Sequence, residues 1–463
     1  MLVCGFALQI ALARLLGVEL YGLYGLILSL LVWFELFMTG SSRAFSMRVA
    51  ERPSESRSFR LVAIKVMLLM GLAVFGLSSI AAFFLPDLFG RPGTTHYFLL
   101  AFLDIPLIGF FYMSQGLLNG LHLYKHQSIA LVAYYLSRLV FSILLVALGL
   151  SLTGAIIANL ACSLAGIIVS AWFFDLLSKK PGGKSQATLR GLLRSIVPFV
   201  ILPIIFNILV FFNLWVIGAV ASTIELGIYN AAFSVSRIIL LLFTSMTIAV
   251  FPAITTSIYS GDSNRTTRLL RQSSRFLLLL VSPICLFIAF TSDTIMQLFG
   301  DVYTTGAGSV SLLVIGFLIL ALLSLFNYIE MANHQFWTVI SINAFAVALE
   351  IGLSIPLTKR LGIEGAAISL IIASSVACLL QLYIVSKQFG PPLTLVSACR
   401  ILAASGLCAS ILMPIESLWL LLPSYVLAFA LYALLIIYLN ELDIDEIKYW
   451  IGVLVRSERN MRP

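Results

Sequence analysis

Apolar runs of about twenty residues recur along almost the whole chain, and a run of that length is what an α-helix needs to cross a bilayer. "ILPIIFNILVFFNLWVIGAV" from Ile201 to Val220 is one, and "SLLVIGFLILALLSLF" from Ser311 to Phe326 is another. About fourteen such segments start near residues 1, 23, 61, 97, 129, 154, 196, 228, 276, 308, 338, 365, 397 and 420. The runs are continuous rather than alternating, which selects helices over barrel strands, the other structure that satisfies every backbone group in lipid. Composition agrees: 61% of the residues are hydrophobic and 10% charged, too much apolar surface for one aqueous core. The expected fold class is therefore an all-α polytopic membrane protein with about fourteen spans. The first span is anomalous. Only thirteen residues, Met1 to Ala13, precede Arg14, about 20 Å of helix against a hydrocarbon core of about 30 Å. An incomplete first helix is expected, since no basic leader or cleavage site supports a signal peptide.

The net charge of +8 does not mark a nucleic-acid binder, because the cations do not form one patch. Of 28 Lys and Arg residues, 21 fall in segments of one parity: Arg43 to Arg60, Lys125, Lys179 to Arg194, Arg265 to Arg275, Lys387 and Arg400, and the tail after Asn440. Only Arg14, Arg91, Lys359 and Arg360 fall in the opposite set. The positive-inside rule then puts the larger set, and both termini, in the cytoplasm. The six cysteines are scattered among apolar spans without metal-ligand spacing and read as small core residues. No cofactor or metal is called for.

The chain also matches itself. "ELYGLYG" at Glu19 resembles "ELGIYNA" at Glu225, "LFGRPGTTH" at Leu88 resembles "LFGDVYTTG" at Leu298, and "LGLSLTGAIIANL" at Leu148 resembles "RLGIEGAAISLI" at Arg360. The offsets are 205, 210 and 211 residues, collinear, as a duplication requires. The unit holds six spans, an even number, so the two copies are expected to be related by an axis along the membrane normal, as in alternating-access carriers. The expected organisation is a six-helix bundle over 1–186, a second over 187–390 after the linker "KKPGGKSQATLRG", and two extra helices with a tail over 391–463.

"LARLLGVELYGLYGLILSL", "LGIYNAAFSVSRIILLLFTSMTIAVFPAI" and "LTKRLGIEGAAISLIIAS" resemble the polysaccharide-export, O-antigen-type flippases of the multidrug/oligosaccharidyl-lipid/polysaccharide exporter superfamily. The resemblance covers nearly the whole chain, including the two extra helices. It implies two bundles in a V around a central cavity, in the cytoplasmic membrane. It further implies movement of an undecaprenyl-pyrophosphate-linked oligosaccharide between leaflets for cell-surface polysaccharide assembly. Membrane lipids, and polymerases or glycosyltransferases of the same pathway, are the implied partners. A multidrug or organic-cation exporter of the same superfamily is the alternative. An integral-membrane glycosyltransferase or polymerase fits less well, because the extracytoplasmic loops are short and offer only isolated acids such as Glu19 and Asp87.

Charges inside apolar segments are costly, about 2.5–3.5 kcal/mol each on insertion scales, and therefore mark candidate sites. Arg237 sits about eight residues into a span with no acidic residue between Tyr229 and Pro252. Its planar fork suits a pyrophosphate, and Arg138 in the first half is the second candidate. Lys65 lies five residues beyond Arg60 and can snorkel; Arg43 and Arg14 flank spans and are weaker substrate-contact candidates. Four intramembrane acids, Asp104, Glu350, Glu35 and Glu330, are candidates for coupling to a proton or Na⁺, or for neutralising Arg138 and Lys65. Pro198 and Pro203 interrupt the seventh span and are candidate hinge residues. "GLLNG" from Gly116 to Gly120 has the spacing of a close-packing motif.

Topology reporters fused at Lys184 and Asp301 should report opposite sides of the membrane. The same side for both would overturn the span count between them, and the repeat with it.

Overall fold

The computed structural model describes residues 2–177, 192, 196, 198–261, 263–412 and 417–441. The linker "KKPGGKSQATLRG" and the basic tail after Glu441 lie outside the described residues. Every element among the described residues is helical. Two compact units emerge, Met1–Ala231 and Ala232–Pro463. The first contains α1 (Leu2–Glu51), α2 (Ser56–Leu88), α3 (Thr95–Phe102), α4 (Asp104–Gly120), α5 (Tyr124–Leu145), α6 (Ser151–Leu177), α7 (Pro198–Val220) and the start of α8 (Thr223–Ser236). The second contains the end of α8, then α9 (Ile238–Tyr259), α10 (Ser263–Phe290), α11 (Ser292–Gln297), α12 (Ala307–Ala332), α13 (Phe336–Phe389), α14 (Leu395–Ser410) and α15 (Leu418–Tyr438). Compactness thus divides the chain later than the repeat does, with α7 joining the residues before it.

Ten helices among the described residues are long and apolar enough to cross a membrane, so the protein is a multi-pass membrane protein. Three of them, Cys4–Glu51, Tyr124–Asp175 and Phe336–Phe389, are far longer than a bilayer is thick. Each is broken by residues with positive φ: Gly17 in the first, Gly149 and Ser151 in the second, Gly362 in the third. At two of these breaks the chain doubles back. A Cβ on Gly154 would meet the Leu145 carbonyl at 3.0 Å, and one on Gly365 would strike the backbone at Leu357. Residues eight or nine apart in a straight helix are about 12 Å apart, so contact requires a reversal. Gly154 and Gly365 are the pair aligned by the repeat, and their common role is to let a helix begin against the backbone of the one it follows.

The duplication is also written in backbone conformation. Gly90 and Gly300, His122 and His334, and Ser151 and Gly362 all have positive φ, at spacings of 210, 212 and 211 residues. Histidine and serine seldom adopt this conformation, so its recurrence at matched positions reflects shared turns rather than composition.

In lipid, helices associate through close packing and polar contacts rather than through hydrophobic exclusion, and small residues set the distance. The first unit shows this along α1. Gly116 and Gly120 of α4 leave no room for a Cβ against the Ser42 and Ser46 carbonyls, and Ser46 donates a hydrogen bond to Asn119 Oδ1 at 2.9 Å. Gly22 approaches the Gly227 backbone so closely that a Cβ would lie 2.6 Å from its nitrogen. Beside it Asn230 Nδ2 donates to the Tyr21 carbonyl at 3.2 Å. In the second unit α10 packs on α12 and α14, and α12 packs on α13. The face shared by α10, α14 and α15 is an apolar cluster including Phe287, Ile401, Cys408 and Tyr432.

Replacing Gly116 by Leu should lower stability in detergent by about 1–3 kcal/mol or more, the usual cost of overpacking. Gly76→Leu, at a site with nothing within 4 Å of a new Cβ, should be near neutral. Thermal unfolding of the two purified variants checks this, and equal midpoints would remove the role assigned to the α4 glycines.

Candidate functional site

Each unit encloses a cluster of polar side chains where an apolar core would be expected, and the clusters take in several of the sequence candidates. In the first unit the helices α1, α4, α5 and α6 contribute. Asp104, the first residue of α4, is 1% exposed, and its Oδ1 has no hydrogen-bond partner among the described residues. Its electrostatic neighbours include Ser163 of α6 and Arg138 of α5. Arg138 is enclosed by Tyr24, Tyr134 and Cys162, and its Nε likewise has no partner among the described residues. Asn159, 3% exposed, has neither its oxygen nor its nitrogen satisfied there. Glu35 of α1 is half-buried and acts electrostatically on Tyr112, Tyr134 and Cys162, so it belongs to the same cluster. Tyr134 stacks on Phe111 with ring centroids 4.7 Å apart, which walls the cluster with aromatic surface.

Orphaned buried polar atoms cost about 1–3 kcal/mol each, so several in one place mark a site of polar function rather than of stability. A carboxylate and a guanidinium removed from water also need each other. The arrangement can hold a fixed positive charge beside a carboxyl able to gain or lose a proton. That combination responds to any change in the neighbouring charge.

The second unit has its counterpart on α12 and α13. Asn327 and Asn343 exchange amide hydrogen bonds at 3.3 and 3.1 Å, and Gln381 Nε2 donates to Asn327 Oδ1 at 2.9 Å. Glu330 is fully buried one turn further on, accepts a bond from Gln388 Nε2 at 3.4 Å, and has its other oxygen unsatisfied among the described residues. Glu350 is also fully buried, farther along α13. In the first unit Gln115 Nε2 donates to Ser170 Oγ at 2.9 Å, the bond that corresponds by repeat spacing to Gln381 and Asn327. The duplication therefore retained a polar bridge while the ionisable groups around it diverged.

Arg237 stands immediately before α9, as its N-cap residue. It occupies the joint between α8 and α9, half-buried, with its amide bonded to the Phe233 carbonyl at 2.9 Å and its own carbonyl shared by the amides of Leu240 and Leu241. Lys65, Arg43 and Arg14 are exposed along α2 and α1, where long cationic side chains can reach a membrane surface. Pro198 is the first residue of α7, and its side chain lies outside what is described. Pro203 stands inside that helix, and the Asn207 amide donates to its carbonyl at 2.9 Å. Glu19 attracts Arg91 in the turn after α2; burial holds Arg91 below the ordinary arginine value while that carboxylate opposes the shift.

Sequence reasoning missed Tyr24, Tyr134, Asn159, Cys162 and Ser163 in the first unit, and Asn327, Asn343, Gln381 and Gln388 in the second. The signal was amides and hydroxyls inside apolar runs, as in "IIANLACSLAG", where they pass for tolerated polar residues until their helices meet. No cluster of three or more His, Cys, Asp or Glu among the described residues has the arrangement of a metal site.

Asp104→Asn and Arg138→Gln should each destabilise the purified protein, and the double variant should lose less than the sum. The expected coupling is about 0.5–3 kcal/mol, the range for residues that share one polar network. Additive losses in thermal unfolding would separate the two groups.

The family profile described as polysaccharide biosynthesis protein matches residues 3–258. No curated protein matches the chain. Among solved structures, lipid II flippase MurJ in an inward closed conformation is similar at 16% identity, covering 95% of this chain and 97% of that one with a TM-score of 0.74. An inward-facing multidrug resistance MATE family transporter of the MOP superfamily is similar at 14% identity, covering 84% and 95% with a TM-score of 0.72. A eukaryotic MATE transporter follows at 13% identity, 88% and 97% coverage and a TM-score of 0.59. Buried charge inside a multi-pass helical fold of this type, with a profile match over more than half of its length, places the chain in the polysaccharide biosynthesis protein family.

Proposed function

We propose that this protein is a non-enzymatic carrier that moves a lipid-linked oligosaccharide, joined to its polyprenyl chain through pyrophosphate, from the cytoplasmic to the outer leaflet of the cytoplasmic membrane. Its termini lie on the cytoplasmic side in this reading, and glycosyltransferases and a polymerase of the same pathway act before and after it. The observation that carries the reading over drug export is extent. The likeness to the lipid II flippase takes in 95% of this chain, and that to the multidrug transporter 84%. A lipid-linked sugar also suits the family, whose description is polysaccharide biosynthesis.

Arg237 is the residue we assign to the pyrophosphate. It is a guanidinium half-buried at a joint between two helices of a membrane protein, where a fork of donors can bind two phosphate oxygens and where a small change in helix direction moves the side chain. A ligand that binds one carrier conformation better than another shifts the balance between them by that difference in affinity, and charge-assisted bonds made in only one conformation supply it. Arg138 serves the same transport in a different way. Enclosed with Asp104 and Glu35, it is a fixed countercharge whose partners can exchange a proton as the carrier cycles.

In proteoliposomes carrying a fluorescent undecaprenyl-pyrophosphate oligosaccharide, wild-type protein should expose the label to a membrane-impermeant quencher. Arg237→Ala should abolish that exposure at normal protein abundance, and Arg237→Lys should retain a minor fraction. Undiminished flipping by Arg237→Ala would refute the assignment. Export of an organic cation without movement of the lipid would refute the flippase reading itself.

A further inference from the structure

At one end of the second unit, a cavity of about 780 Å³ opens between the start of α10, the start of α14 and the chain leaving α15. Arg268, Arg271, Gln272 and Arg275 line it from α10, at spacings that put them on one helical face, and Arg400 lines it from α14. Among the described residues the one acid lining it is Glu441, which is buried, accepts hydrogen bonds from Ser397 and Arg400, and holds the Arg400 guanidinium at 3.3 Å. Arg268 and Arg271 are exposed and have no ion-pair partner among the described residues. Arginines three and four apart on one helix repel one another, so the face is unfavourable until an anion neutralises it. The positive ends of two helices, α10 and α14, meet at the same place, since Asn264 lies in the first turn of one and Thr394 is the N-cap residue of the other.

Part of the rim is apolar. Leu393 and Val396 line the cavity, and next to them Leu395 and Val396 of α14 are 83% and 61% exposed. Tyr438, closing α15 at the same end, is 83% exposed, where an aromatic with a polar tip suits the boundary between lipid headgroups and acyl chains. A soluble anion needs only the cationic interior. A molecule with a phosphate at one end and acyl chains at the other uses both surfaces.

We propose that this cavity binds the phosphate headgroup of an anionic phospholipid, with Arg268 and Arg271 as its principal ligands, Arg400 held in place by Glu441, and the acyl chains resting on Leu395 and Val396. Cationic recesses between membrane helices are suited to such headgroups, and a cavity of this volume falls within the usual range for ligand sites. The positive-inside rule requires cations at this end of the helices; it does not require them to converge on one cavity with an apolar rim. The site is independent of what the carrier moves and would tie its second unit to the lipid composition of the leaflet.

The test is a titration of the purified full chain in neutral detergent with phosphatidylglycerol, phosphatidylcholine or inorganic pyrophosphate, read by thermal unfolding and by native mass spectrometry of bound lipid. Phosphatidylglycerol should raise the unfolding temperature saturably and phosphatidylcholine should not. Arg268→Gln with Arg271→Gln should weaken the apparent affinity roughly ten- to thirty-fold, the worth of two surface cations against an anionic lipid. Lys387→Gln, outside the cavity, should leave it unchanged. If the glutamine pair does not fold, Arg268→Lys with Arg271→Lys keeps the charge and should still weaken binding through loss of the fork. Equal affinity in wild type and variants would overturn the proposal. Pyrophosphate alone reproducing the full shift, with no further gain from phosphatidylglycerol, would reassign the cavity to a soluble phosphate.

Discussion

Leucine gains nothing by leaving lipid for another leucine, and the whole structure follows from that. Helices hold together here where backbone can approach backbone. Gly116 and Gly120 on the carbonyls of α1 make such a contact, and so do Gly22 on Gly227 and the reversal glycines Gly154 and Gly365. The first two let polar groups meet across the gap, as Ser46 meets Asn119 and Asn230 meets the Tyr21 carbonyl. Glycine is usually a cost in a helix interior. In this environment it sets the interhelical distance, and the polar bonds around it depend on that distance being short.

The same environment gives the buried charges their meaning. A carboxyl that is 1% exposed, and a guanidinium Nε and an amide without partners among the described residues, would be a serious defect in a core selected for stability. In the carrier we propose, they are groups whose energy changes when a neighbouring charge, proton or helix moves. The two units treat this differently: the first places an arginine among acids and tyrosines, whereas the second gives Glu330 an amide donor, Gln388, one turn from amides that bond one another. A duplication that began symmetric has given its copies separate electrostatic tasks, while the polar bridge between corresponding helices and the left-handed turns stayed in register.

Charge is also sorted along the helices. Arg268, Arg271, Arg275 and Arg400 gather at one end of the second unit, and Leu395, Val396 and Tyr438 are exposed beside them. Cations near a membrane surface serve topology first, through their cost of translocation. Packing then determines whether they face bulk water or one another, and on α10 three of them face one cavity.

The amino-acid sequence by itself determined the class of fold, because runs of about twenty apolar residues have one structural solution in lipid. It also determined the repeat, because "LFG" recurs 210 residues on and Gly154 and Gly365 stand 211 apart, and turn geometry preserves such residues. Individual charges within apolar runs could be read as candidates, since their cost is a property of the residue and its depth. Which of them share a site could not. Asp104 and Arg138 are 34 residues apart in sequence, Asn159 and Ser163 lie on a third helix, and nothing in any one segment marks them as neighbours. Only the packing of α1, α4, α5 and α6 decided that, and it decided equally that Arg237 falls at a joint between helices and that four arginines open onto one cavity. Depth is a one-dimensional quantity and is legible along a chain. Facing direction depends on how helices cross, and those crossings are set by contacts between residues far apart in the sequence.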